Sequence, residues 1–201
     1  MEPDAKSRGG RPWSFDRDQA VDTAMRLFWR HGYEGVSVGD LTKAIGIAPP
    51  SLYAAFGSKA GLYREALGRY EDGIGLFDPA PVAAEITLPA AVRRLLEGAI
   101  QAVTHPDRER GCMISSGMIA CHPDHAALAQ DLAARRDTIR GRIEHALQPF
   151  LDGDERRRLA RHLATVMLGL STQARDGVEL AALQEVVDDV VAGVAARFPS
   201  G

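Results

Sequence analysis

The chain has 201 residues, 45% of them hydrophobic, and a formal net charge of −3. That length allows one large domain or two small ones around a proper buried core. The acidic balance excludes a protein that coats nucleic acid indiscriminately, which would be broadly basic, and no apolar stretch is long enough to span a bilayer.

The opening MEPDAKSRGG lacks the apolar core of a secretion signal, so a cytoplasmic location is expected. Residues 1–13 are polar and glycine-rich, with Lys6, Arg8 and Arg11. They read either as a disordered tail or as a basic arm that reaches a minor groove or phosphates, with Arg11 the best candidate because it lies nearest the folded part. Trp13 either staples that arm to the first helix or meets DNA.

Asp16, three residues before Gln19, opens the first helix, whose apolar face is Ala20, Val21, Ala24, Leu27 and Phe28; Gly32 closes it. Trp29 and Tyr33 are expected to pack the small core behind it. In SVGDLTKAIGIAPPSLYAAFGSK, residues 37–59, Ser37 and Asp40 have the spacing of a capping box, and Leu41, Ala44 and Ile45 recur at helical spacing. Gly46 ends that helix and Ile47 plugs the turn. Pro49 and Pro50 lack amide protons and fit the first turn of the next helix, which carries Ser51, Leu52, Tyr53, Ala54, Ala55 and Phe56. A short helix, a tight turn and a second helix with a small outer face is the helix-turn-helix shape that fits a DNA major groove. Gly57 stops it, and Ser58 caps a third helix through Leu62, Tyr63, Ala66, Leu67 and Tyr70. Charge follows the same division. Residues 1–64 hold nine Lys/Arg against seven Asp/Glu, and residues 65–201 hold fifteen Arg against twenty, a mildly basic head on an acidic body.

The stretch FDRDQAVDTAMRLFWRHGYEGVSVGDLTKAIGIAPPSLYAAFGSKAGLYREAL resembles the DNA-binding domain of the TetR family of transcriptional repressors. The pattern AxxLFxxxGYxxxSxxDL, a glycine-hydrophobic turn, SLYxxFxSK and Leu62 occur in order and spacing over roughly the first third of the chain. The resemblance implies that Tyr53 and Lys59 hold phosphates while residues 49–55 enter the major groove. It also implies a homodimer, a palindromic double-stranded operator, and a small-molecule effector of unknown identity; no cofactor or metal is called for. Three positions depart from the family's usual pattern: Ala48 for a capping Ser, Pro49 for Lys or another polar residue, and Ala55 for an aromatic. Base readout is then expected from Ala54 or Pro49 against thymine methyls, from Ser51, from Ser37 and Thr42 of the preceding helix, and from DNA shape, with Pro50 beside them.

Beyond Tyr70, the proline-rich FDPAPVAAEITLP reads as the connection to the body. The fold expected is all-α: residues 1–13 as arm, 14–74 as a three-helix DNA-binding domain with its helix-turn-helix at 37–56, and 75–201 as a ligand-binding, dimerising helical bundle. Helices are predicted over 89–103, over the short apolar CMISSGMIAC at 112–121, from HPDH through Leu147, over 152–175 and over 179–198. The last two carry Leu159, Leu163, Val166 and Leu170, then Leu183, Val187, Val190 and Val194, at helix-packing steps. These seams either fill the body's own core or form a four-helix dimer interface, and the dimer is preferred. Effector-pocket candidates are Met113, Ser116, Gly117 and Cys121, with Leu163, Met167 and Gln173 opposite; ordinary core packing is the alternative for each.

Cys112 and Cys121, nine residues apart on one helix, would lie about 13 Å apart along the axis, too far for the roughly 7 Å limit of a disulfide. Cys112 as an oxidant sensor, or Cys121, His122 and His125 as a metal-responsive group, is the alternative reading. An enzyme is the remote one, since the chain has no phosphate-cradling glycine loop, no GxSxG and no HExxH.

Overall fold

A computed structural model describes residues 15–75 and 78–199, so Arg11, Trp13 and the expected arm lie outside the described residues. Within them the secondary structure is entirely helical: α1 (Arg17–His31), α2 (Val38–Ile45), α3 (Pro49–Phe56), α4 (Lys59–Gly73), α5 (Ala80–Ala83), α6 (Leu88–Val103), α7 (Ala126–Ala146), α8 (Gly153–Arg175) and α9 (Leu180–Arg197), with a 3-10 turn at Pro123–His125. The head is α1 to α4. Asp16 Oδ1 accepts from Gln19 N at 3.0 Å to start α1, and Gly32 ends it at φ 73°. Ser58 Oγ accepts from Gly61 N at 3.0 Å to start α4.

Aromatic side chains hold the head together. Phe28 meets Tyr63 edge-on at 4.9 Å, and Tyr33 tilts against Tyr63 at 5.0 Å. Such pairs add roughly 0.5–1.5 kcal/mol beyond the area they bury. This core does not stop at the head, because Met113, Ile114, Met118, Leu128 and Leu132 of the body are buried in it. The second core joins α6 to α8 and α9, with Ile143 and Ala146 of α7.

Two expectations need correction. Residues 112–121 form turns and bends instead of a helix. The carbonyls a helix would give to its own amides go elsewhere: Ile114 O and Gly117 O accept from Arg136 Nη1, both at 3.0 Å, and Met118 adopts φ 53°. The stretch expected to connect head and body also holds a short helix, α5, with Asp78 Oδ1 accepting from Ala80 N at 2.9 Å. The α8 and α9 seam turns inward: Leu159, Leu163, Leu170, Leu183, Val187 and Val194 are buried in the protomer's own core. A side chain already enclosed has no area left for a partner, so these six are withdrawn from the dimer interface; Val166 and Val190 remain half-buried.

Candidate nucleic-acid interface and body cavity

The helix-turn-helix follows from local chemistry. Asp40 N donates to Ser37 Oγ at 3.1 Å, while Ser37 N and Oγ donate back to Asp40 Oδ2 at 2.9 and 2.6 Å. The hydroxyl, and after it the amide, of Ser37 hold the Asp40 carboxyl below its usual range. Gly46 takes the left-handed conformation (φ 79°, ψ 30°) that a side chain would disfavour. Pro49 and Pro50 occupy the first turn of α3, where missing amide protons cost nothing. Leu52 and Phe56 are buried, which leaves Pro49, Pro50, Tyr53 and Ala54 on the solvent face. Tyr53 is 49% exposed, so about half of a large ring stands open to solvent.

Of the remaining sequence candidates, Ser51 is half-buried at the edge of this face. Ser37 is exposed, but its hydroxyl proton is committed to Asp40. Thr42 is corrected: it is buried, and its hydroxyl donates to Val38 O at 3.0 Å and Gly39 O at 3.1 Å, so it has nothing to offer a base. Lys59 opens α4 with its Nζ 4.1 Å above the Tyr33 ring. Burial lowers its pKa, with Glu34 and Asp40 opposing that shift. Lys43, not singled out from the sequence, is exposed on the last turn of α2, where a cation complements the negative end of the helix.

The body contains a cavity of about 640 Å³ between α4, α6, α7 and α8. Met167 lines it, but the other pocket candidates do not. Met113 and Leu163 are buried in the cores, and Gln173 is exposed. Ser116 donates to Cys112 O, Gly117 lies against Tyr63 and Leu132, and Cys121 packs on the head core. The sequence missed Tyr70, Arg136 and Ser171, because each reaches the cavity only through the packing of helices distant in the chain. Cys112 also faces it.

One wall is shared with the head. Tyr70 is buried there, and burial first, then the Cys112 thiol, pushes its hydroxyl pKa upward. Trp29 of α1 stands edge-on to Tyr70 at 4.9 Å. Its Nε1 donates to Gly111 O at 3.0 Å, its carbonyl accepts from Arg175 Nη2 at 2.8 Å, and Cys112 N donates to Ser171 Oγ at 2.8 Å. Arg64 pairs with Asp131 at 3.3 Å and Arg135 pairs with Glu71, so α4 is also tied to α7.

His122 and His125 lie near the head too, His125 edge-on to Tyr33 at 4.9 Å and 3.7 Å from Glu34. Among the described residues no group of three His, Cys, Asp or Glu side chains is arranged to hold a metal ion. Cys121, His122 and His125 therefore do not form the metal group that the alternative reading needs.

Residues 20–66 match the model of the bacterial regulatory proteins of the tetR family. The HTH-type transcriptional repressor ComR of Escherichia coli is 35% identical over 192 residues, which span 90% of this chain and 89% of ComR. BdcR, an HTH-type transcriptional repressor of the same organism, is 35% identical over 84% of this chain and 83% of its own length. Among solved structures, a cysteine mutant of the TetR family transcriptional regulator CifR complexed with 26bp double-strand operator DNA is similar. It has a TM-score of 0.82 and 36% identity, over 90% of this chain and 98% of that one.

Proposed function

The chain belongs to the TetR family and is a DNA-binding transcriptional regulator rather than an enzyme, and from that premise we propose that it is a cytoplasmic repressor released from its operator by a small molecule bound in the body cavity. Two heads of a homodimer grip adjacent major-groove faces about 34 Å apart, or a multiple of that spacing. Tyr53 and Lys59 take phosphates, Pro49 and Ala54 lie against base edges, and Pro50 and Ser51 flank them. The observation that carries the switch is α4. Its first residue, Lys59, adjoins the recognition helix, and Tyr70, near its other end, lines the cavity. At 1.5 Å per residue a helix of this length is about 22 Å long, so a ligand that displaces Tyr70 tilts a lever whose far end sets the head. To move occupancy from 99:1 to 1:99 the effector must prefer the released state by about 5.5 kcal/mol.

The dimer surface we infer lies beside the buried seams. Val166 and Gly169 on α8, with Val186, Val190 and Gly193 on α9, form half-buried valines flanked by exposed glycines. Small residues between them let two helix pairs approach closely. The test of the whole reading is a gel shift with the protein's own promoter region against random duplex of equal length. Preferential binding that a metabolite abolishes supports it, and equal affinity for both duplexes discards it.

A second reading keeps the repressor but makes oxidation of Cys112 the signal. It rests on the thiol's place in the cavity wall, where Sγ accepts from Ser115 N at 3.4 Å. Operator release by peroxide that survives in Cys112→Ser removes it.

A further inference from the structure

We propose that the cavity receives a small carboxylate carried on an apolar body, and that Arg136 is the residue that takes its charge. This rests on the effector reading above and adds the chemistry of the ligand. Arg136 stands half-buried on α7 and lines the cavity. Its Nη1 donates to the carbonyls of Ile114 and Gly117, and among the described residues it has no ion pair. Its Nε and Nη2 make no hydrogen bond to the described residues, and neither is among the buried atoms left without a partner, so this edge of the guanidinium is open. An open edge of two parallel N–H donors is the geometry that binds a carboxylate bidentately. Burial lowers the Arg136 pKa, with Tyr63 and Cys112 opposing, the direction expected of a cation that lacks a counter-ion.

The cavity's acids are otherwise engaged. Asp137 accepts from Arg140 Nε and Nη2 at 3.0 and 2.7 Å. Glu97 lies 3.3 Å from Arg93 Nη1 and 3.4 Å from Gln184 Nε2. Asp78 is exposed and caps Ala80. Arg94 and Arg161, both exposed, also line the cavity, so four guanidiniums there face three carboxylates. A cationic ligand would meet an excess of like charge. The rest of the ligand meets Ile74, Leu95, Val103, Ile139, Met167 and Leu168. The volume lies within the ~300–1,000 Å³ typical of small-molecule sites.

The experiment pairs acids with neutral analogues of the same skeleton on the full chain: decanoate against decanamide, and hydrocinnamate against its primary amide, by thermal shift and calorimetric titration. The expected result is an acid that raises Tm and binds about tenfold or more tighter than its amide, as a charge-assisted pair requires. The advantage should vanish in Arg136→Gln and persist in part in Arg136→Lys, with circular dichroism showing both variants folded. It should also fade in the native chain as pH falls through the probe's own acid range, a readout that needs no variant. Equal binding of acid and amide overturns the carboxylate assignment, as does an advantage retained in Arg136→Gln or the absence of binding by either acid. Gel shift separates the two readings. Neutral probes that bind and release DNA leave the effector reading standing without this ligand class. Acids that bind through Arg136 without releasing DNA uphold the site and remove the switch.

Discussion

Tyr53 and Lys59 meet solvent differently, and that decides what each contributes. Tyr53 on α3 is about half exposed, whereas Lys59 lies along the Tyr33 ring. A phosphate contact from Lys59 releases about one counter-ion, so Lys59→Ala should weaken binding to operator and random DNA alike and flatten the salt slope by about one unit. Unchanged salt dependence in filter-binding titrations would take Lys59 out of the contact. Ser37→Ala removes a cap from α2 and should cost about 1 kcal/mol in urea unfolding. The pH dependence of that cap has a definite sign. Asp40 is held below its usual pKa in the folded chain, so its contribution is complete above the ordinary carboxylate range and lost as pH falls through the depressed value. Asp40→Asn should accordingly flatten the acid limb of the stability curve.

Elements differ in how far their own sequence specifies them. Caps, stops and periodic faces placed α1 to α4 and α6 to α9 because each is a local matter: Ser37 three residues before Asp40, Gly46 after Ile45, two prolines opening α3. Residues 112–121 depart from the helix their apolar run predicts because distant partners overrule it. Arg136 claims the carbonyls of Ile114 and Gly117, Ser171 the amide proton of Cys112, and Trp29 the carbonyl of Gly111 just before the segment. Gly117 is the residue that fits this path, since a Cβ there would stand 2.5 Å from Met113 O and 3.2 Å from Tyr63 Oη. Gly117→Ala should therefore destabilise the chain by about 1–3 kcal/mol, as overpacking does, and an unchanged urea midpoint would contradict this. Trp29→Phe leaves a smaller aromatic ring beside Tyr70 and strips Gly111 O of its donor, the lost donor alone costing roughly 1–3 kcal/mol. It should also weaken coupling between cavity and head, read as a smaller loss of operator affinity per bound effector.

At the scale of the molecule, the head core runs on into the body, so α4 is clamped between the other head helices and the cavity wall. An inducible head needs that continuity, because a ligand shifts an equilibrium only through groups whose contacts differ between the two states. Gly193→Arg, on the exposed side of α9, should give a folded monomer by sedimentation with much weaker operator binding. A dimer of native affinity would move the interface elsewhere.

What the sequence alone determined is the DNA-binding head and the all-helical class, since caps, glycine stops and spaced apolar residues act between neighbours in the chain. Tertiary structure decided which faces are spare. Leu163 and Val187 look like an interface until α6 covers them, and Arg136 looks like one more surface charge until the 112–121 turns close over it. Burial is a property of what other segments bring, and no window of sequence contains those segments together.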